Sequence, residues 1–121
     1  MPNQIQGERM NKKIINRKLK EQDIQKGIMS YLELQGFLVV KFPSVGIKKP
    51  DGSYIPMRQK GIADILFWGR GIAGAIEVKK HGNKVTPEQS EFLEKMRDKG
   101  YIGMVAYSID DVMEIISLYC K

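Results

Sequence analysis

Apolar positions change their spacing several times along this chain, and each change predicts a change of element. From Glu21, Ile24, Ile28, Tyr31 and Leu32 recur at three- and four-residue intervals. That is the stripe of an amphipathic helix, predicted over residues 21 to 35 and stopped by Gly36. Residues 37 to 42 read as a strand, and Pro43 to Gln59 as a loop or irregular hairpin. Ile62 to Trp68 and Ile72 to Val78 are apolar runs of strand length separated by Gly69-Arg70-Gly71, so they read as a buried β-hairpin. Helical spacing returns over 87 to 99 and is stopped by Gly100; a strand at 102 to 107 and a helix at 110 to 119 complete the order. A leading helix followed by β-β-β-α-β predicts an α/β layer architecture with a mixed central sheet flanked by helices. The expected core is Leu38, Val40, Phe92, Leu93, Met96, Met104, Val112, Ile115 and Ile116, with Met29 and Met113 as further fillers.

The hairpin carries the candidate chemistry. A two-residue turn centred on Arg70-Gly71 sets Gly69 opposite Ile72, and therefore Asp64 opposite Glu77 on one face. Strand alternation adds Lys79 to that face. Three ionisable groups at the end of an apolar hairpin require partners, because buried charge is costly unless paired or metal-bound. Taken alone, Glu77-Val78-Lys79 reads as a surface ion pair where a strand runs into the polar loop Lys80-His81-Gly82-Asn83-Lys84. Asp64 on the facing strand adds a second reading. Oxygen ligands suit Mg²⁺, which takes one or two protein carboxylates and completes its shell with water and substrate phosphate. A neighbouring lysine can steer water or offset charge at a phosphoryl group, so the implied reaction is phosphodiester hydrolysis.

Lys60-Gly61-Ile62-Ala63-Asp64, then Glu77-Val78-Lys79, then Gly82 followed by Thr86-Pro87-Glu88-Gln89, resembles the VRR-NUC branch of the PD-(D/E)xK nuclease superfamily over about residues 20 to 110. The resemblance implies a restriction-endonuclease-like αβββαβ core, dependence on Mg²⁺ or Mn²⁺, and cleavage of structured DNA. Position by position it makes Asp64 and Glu77 metal ligands, the Val78 carbonyl a further ligand, Lys79 the catalytic lysine and Gln89 a supporting residue. Glu21, in an E-x-x-I-Q context, matches the family's additional glutamate. Small stand-alone members resemble phage-associated homodimers acting on branched DNA such as four-way (Holliday) junctions. A flap or nicking nuclease and a non-catalytic DNA-binding module of the same fold are the alternatives. Ala63 stands where the family usually has proline, which supplies no ligand. Pro50-Asp51 offers a literal P-D upstream, but Lys49-Pro50-Asp51-Gly52-Ser53 has turn composition and Asp51 is expected at a loop tip.

Two of these residues have local readings as well. Glu21 shares the apolar stripe of the first helix, and it also sits where an acid complements the positive helix end. Thr86-Pro87-Glu88-Gln89 is a capping box, in which Gln89 reaches back to the cap amide; Gln89 also precedes Phe92 and Leu93 by three and four residues and so can face the sheet.

Composition narrows the partners. Twenty Lys and Arg against fourteen Asp and Glu give a net charge of +6, which suits a polyanion. The excess is early: residues 1–20 form a basic arm, with Lys12, Lys13, Arg17 and Lys18 expected to contact DNA backbone together with Lys60. Residues 21–121, within a chain that is 42% hydrophobic, are expected to form one domain. No apolar run approaches a membrane span or a signal peptide, so a soluble intracellular, cytoplasmic chain is expected. A lone Cys120 and a lone His81 exclude a disulfide framework and a zinc site.

Overall fold

The computed structural model describes residues 20–42, 47–55 and 61–120. Lys12, Lys13, Arg17, Lys18 and Lys60 lie outside the described residues. Among the described residues three helices, α1 (Glu21–Leu34), α2 (Pro87–Asp98) and α3 (Ile109–Tyr119), accompany six strands: β1 (Leu38–Lys41), β2 (Ile47–Lys48), β3 (Tyr54–Ile55), β4 (Ile65–Gly69), β5 (Ile72–Val78) and β6 (Ile102–Ala106). The main sheet has the order β1-β4-β5-β6, while β2 and β3 pair separately as an antiparallel hairpin. Within the main sheet β1, β4 and β5 are antiparallel neighbours, and β6 joins parallel to β5 after the α2 crossover. The expected αβββαβ order and mixed sheet are therefore present, with α3 appended.

The β4–β5 turn has the predicted register, Gly69 opposite Ile72. Its two central residues, Arg70 and Gly71, have φ of 50° and 80°, the left-handed pair that matches the twist of the flanking strands. Strand alternation then divides the side chains between two faces. Ile65, Phe67, Ile76 and Val78 join Ile28 and Leu32 of α1 and Val112 and Ile116 of α3 in the larger core. On the opposite face Ala63 and Ala75 pack with Leu93 of α2, flanked by Leu66, Phe92, Met96 and Val105. Small residues on that face let α2 approach closely. A methyl group at Gly103 would collide with the Leu93 carbonyl, and the Arg97 guanidinium donates to the Gly103 carbonyl at 2.7 Å.

Leu38 and Val40, expected in the core, are exposed, Leu38 by 67%. Both lie on edge strand β1, whose intervening residue Val39 packs into the larger core. Helix α2 packs on β5 and β6 and leaves the β1 end of its face open. Trp68, opposite Leu38 in the ladder, is 43% exposed for the same reason, so the hairpin is buried on only one side at its tip. Phe92, Met96, Met104 and Ile115 are half-buried, and Leu93, Val112 and Ile116 are buried as expected. The strand expected from Ile62 begins at Ile65.

Candidate active site

Asp64 immediately precedes β4, and Glu77 is the penultimate residue of β5. The ladder ends at Ile65 opposite Ile76, which sets Asp64 against Glu77 one step further along. The backbone around them remains tied to the sheet: the Phe42 amide donates to the Asp64 carbonyl at 2.8 Å, and the Lys79 amide, two residues past Glu77, to the Ala106 carbonyl at 3.0 Å. Both carboxyls are buried, Glu77 with only 2% of its surface exposed. The Val78 amide donates to Asp64 Oδ2 at 2.9 Å, while the Val78 side chain turns away into the larger core.

Asp64 and Glu77 lie close enough for the Asp64 charge to disfavour ionisation of Glu77. Burial, and then the adjacent Asp64 charge, push Glu77 up to about 8, with Lys79 opposing the rise. Asp64 is also raised, chiefly by burial, against the lowering effect of the Val78 amide. Glu77 Oε2 is buried without a hydrogen-bond partner. Such an atom is costly unless something outside the protein completes it.

Glu77 Oε1, by contrast, is occupied. Gln89 Nε2 donates to it at 3.0 Å, while Gln89 Oε1 accepts from the Thr86 amide at 2.9 Å. The Gln89 amide in turn donates to Thr86 Oγ1 at 3.2 Å. One side chain thus caps α2 and hydrogen-bonds Glu77. Gly61 seats the start of α2 against the loop entering β4. It has φ of 83°, and a methyl group there would strike the Glu88 carbonyl. Only glycine combines that backbone conformation with that approach.

Glu21 is drawn to the same end of the sheet but not into the carboxyl pair. Its Oε1 accepts from the Lys80 amide at 3.2 Å and from Asn83 Nδ2 at 3.3 Å. Its charge contributes to the rise of both Asp64 and Glu77, so it lies within electrostatic reach of them. Among the described residues no three His, Cys, Asp or Glu side chains converge into a closed metal cluster. The structure therefore brings together Asp64, Glu77, Gln89 and Lys79, with Glu21 beside them. Asp51 is far removed in role. It is exposed in the β2–β3 turn and accepts from the Ser53 amide at 2.9 Å and hydroxyl at 2.6 Å.

Three residues had no role assigned in the sequence reading. Asn83 holds Glu21, Gly61 seats α2, and Gln25 buries an unpartnered Oε1 one turn along from Glu21. Only Gln25 carried a usable signal, its four-residue spacing from Glu21. Among the described residues no helix is long and apolar enough to cross a membrane.

No protein-family model matches the chain, and no curated protein sequence does. Solved structures do. One described as a VRR_NUC domain superposes with a TM-score of 0.60 at 28% identity, covering 82% of this chain and 96% of that one. A second, described as a VRR_NUC domain protein, gives a TM-score of 0.58 at 27% identity over 82% of this chain and 86% of its own. The sheet and flanking helices fit a restriction-endonuclease-like, nuclease-type fold, and these neighbours support a VRR-NUC domain over 82% of the chain.

Proposed function

We propose that this domain is a divalent-metal-dependent endonuclease that hydrolyses phosphodiester bonds in structured DNA. The observation that carries the reading is the buried Asp64–Glu77 pair, with Glu77 Oε2 left unpartnered and Lys79 close enough to oppose the carboxyls' rise. Two buried, adjacent carboxyls form an oxygen donor set that a hard divalent cation suits, so the residues present fit Mg²⁺ or Mn²⁺. Asp64 and Glu77 would hold the ion, with the Val78 carbonyl and Glu21 as further donors. When bound, it supplies Lewis-acid polarisation of the phosphoryl group and acidifies water. Gln89 holds one oxygen of Glu77 so that the other stays directed to the ligand, and the Val78 amide does the same for Asp64. Lys79 supplies positive charge beside the scissile phosphate.

The basic arm, including Lys12, Lys13, Arg17 and Lys18, together with Lys60, holds DNA backbone, which makes binding salt-sensitive and largely independent of sequence. The favoured substrate is a four-way junction cut by a homodimer, because two sites related by a two-fold axis can make paired nicks. The exposed apolar residues Leu38, Trp68 and Tyr101 are available for association.

Product mapping on strand-labelled duplex, flap and four-way-junction DNA tests the reading, with Mg²⁺, Mn²⁺ or EDTA and with Glu77→Ala as control. Metal-dependent paired cuts in the junction, lost in the variant, are expected. Binding without products under every condition would make the domain a DNA-binding module.

A further inference from the structure

Strands β5 and β6 run parallel, with Val78 beside Ala106, so the loops leaving their carboxyl ends lie side by side. Ligands of α/β sheets commonly bind at such a crevice. Here the two loops bring His81 and Tyr107 together. Their rings stack with centroids 5.3 Å apart and planes inclined by 21°. Both line a cleft of about 550 Å³, together with Lys80, Asp23 and Asp110. The cleft is joined directly to the candidate active site: Lys80 follows Lys79, and its amide holds Glu21.

We infer that this cleft receives an unpaired nucleobase of the DNA, stacked on the His81–Tyr107 pair, next to the phosphate to be cut. The inference rests on the nuclease reading above and specifies its substrate as DNA with an extrahelical or unpaired nucleotide at the branch. Aromatic faces stack any base, whereas a fully paired duplex keeps its bases within the helix. The charges in the cleft favour a base over a backbone phosphate. The Asp23 and Asp110 carboxylates repel phosphate and accept hydrogen bonds from ring and exocyclic N–H groups, while Lys80 is placed to meet the phosphate of the same nucleotide. His81 is exposed and Tyr107 half-buried, so Tyr107 anchors the pair and His81 extends it toward solvent. Stacking of this kind changes affinity by roughly five-fold to a hundred-fold per base.

The test uses the full chain in EDTA, where no metal-dependent cut occurs, and junction DNA carrying at the branch an unpaired 2-aminopurine, an abasic site, or a paired 2-aminopurine. Wild type should quench the unpaired 2-aminopurine and bind that DNA at least about five-fold more tightly than the abasic form. His81→Ala and Tyr107→Ala should each reduce the preference toward parity, and Tyr107→Phe should retain it, with circular dichroism verifying the fold. Equal affinity of wild type for base-bearing and abasic junctions, with metal-dependent cutting intact, would overturn the inference alone. A persistent base preference with no cutting in any metal would instead overturn the nuclease reading and leave the cleft assignment standing.

Discussion

The two faces of the sheet are made by the same strands and behave as different materials. On the α1 and α3 side, Ile65, Phe67, Ile76 and Val78 meet Ile28, Leu32, Val112 and Ile116 in a continuous aliphatic and aromatic core. On the α2 side the core is reduced to Ala63, Ala75 and Leu93, and beyond it the same strands carry Asp64 and Glu77 at one end and exposed Trp68 at the other. Neighbours in sequence therefore have opposite tasks. Ile76 holds the fold, and Glu77, one residue later, buries a carboxyl with one oxygen unpartnered.

Substitution of those two neighbours should show the largest effects. Glu77→Ala is expected to lower metal-dependent cleavage by at least about a hundred-fold while leaving the metal-free fold as stable or more so, because a buried carboxyl with an unpartnered oxygen is removed. Ile76→Ala should do the reverse. It should cost about 2–5 kcal/mol in denaturant unfolding, with cleavage per folded molecule retained. Unfolding of Glu77→Ala at native temperature, or inactivity of folded Ile76→Ala, would break the contrast between the faces.

Proton linkage sharpens it further. Glu77 is held up to about 8 in the fold, and an unfolded glutamate titrates near its ordinary 4.5, so between those values the native state binds the extra proton. The stability that this proton confers is complete below the lower value and is lost as pH rises through the upper one. Thermal midpoints in EDTA should therefore fall across that interval, and Glu77→Gln should flatten the profile. Metal affinity should rise over the same interval, since binding displaces the proton. A wild-type midpoint that climbs through the window would contradict the raised proton affinity of Glu77.

Gln89 spans the border between stability and chemistry. Gln89→Ala should cost about 1 kcal/mol for the lost cap and a further ten- to hundred-fold in cleavage, whereas Thr86→Ala should cost only the cap. Equal activity losses in the two variants would reduce Gln89 to a capping residue. The smallest effect is expected at the open end of the same face. Leu38→Ser should change monomer stability by no more than about 0.5 kcal/mol, with any effect appearing as weaker self-association in sedimentation.

The candidate site was unusually legible at Asp64 and Glu77, because a two-residue turn that requires left-handed φ at Arg70 and Gly71 admits one register, and register decides which side chains share a face. Gln89 was legible as a cap because capping is local. Its second bond to Glu77 depends on where α2 lies, which follows from Gly61 and Gly103 meeting backbone that is distant in sequence or packed across the layer. Leu38 and Val40 misled for a related reason. Their spacing marks a strand, but exposure on edge strand β1 depends on how far α2 extends across the sheet.

What the sequence by itself determined was therefore everything carried by short-range geometry: the order of elements, the β4–β5 register, the α2 cap and the nuclease-type motif. Only the tertiary structure decided that Glu21 would be held by Lys80 and Asn83 beside the carboxyl pair, that Glu77 would keep one oxygen without a partner, and that His81 would stack on Tyr107. Hydrogen-bond patterns and alternation act over a few residues. Burial, proton affinity and clefts are set by surfaces that meet only when helices are laid on a sheet.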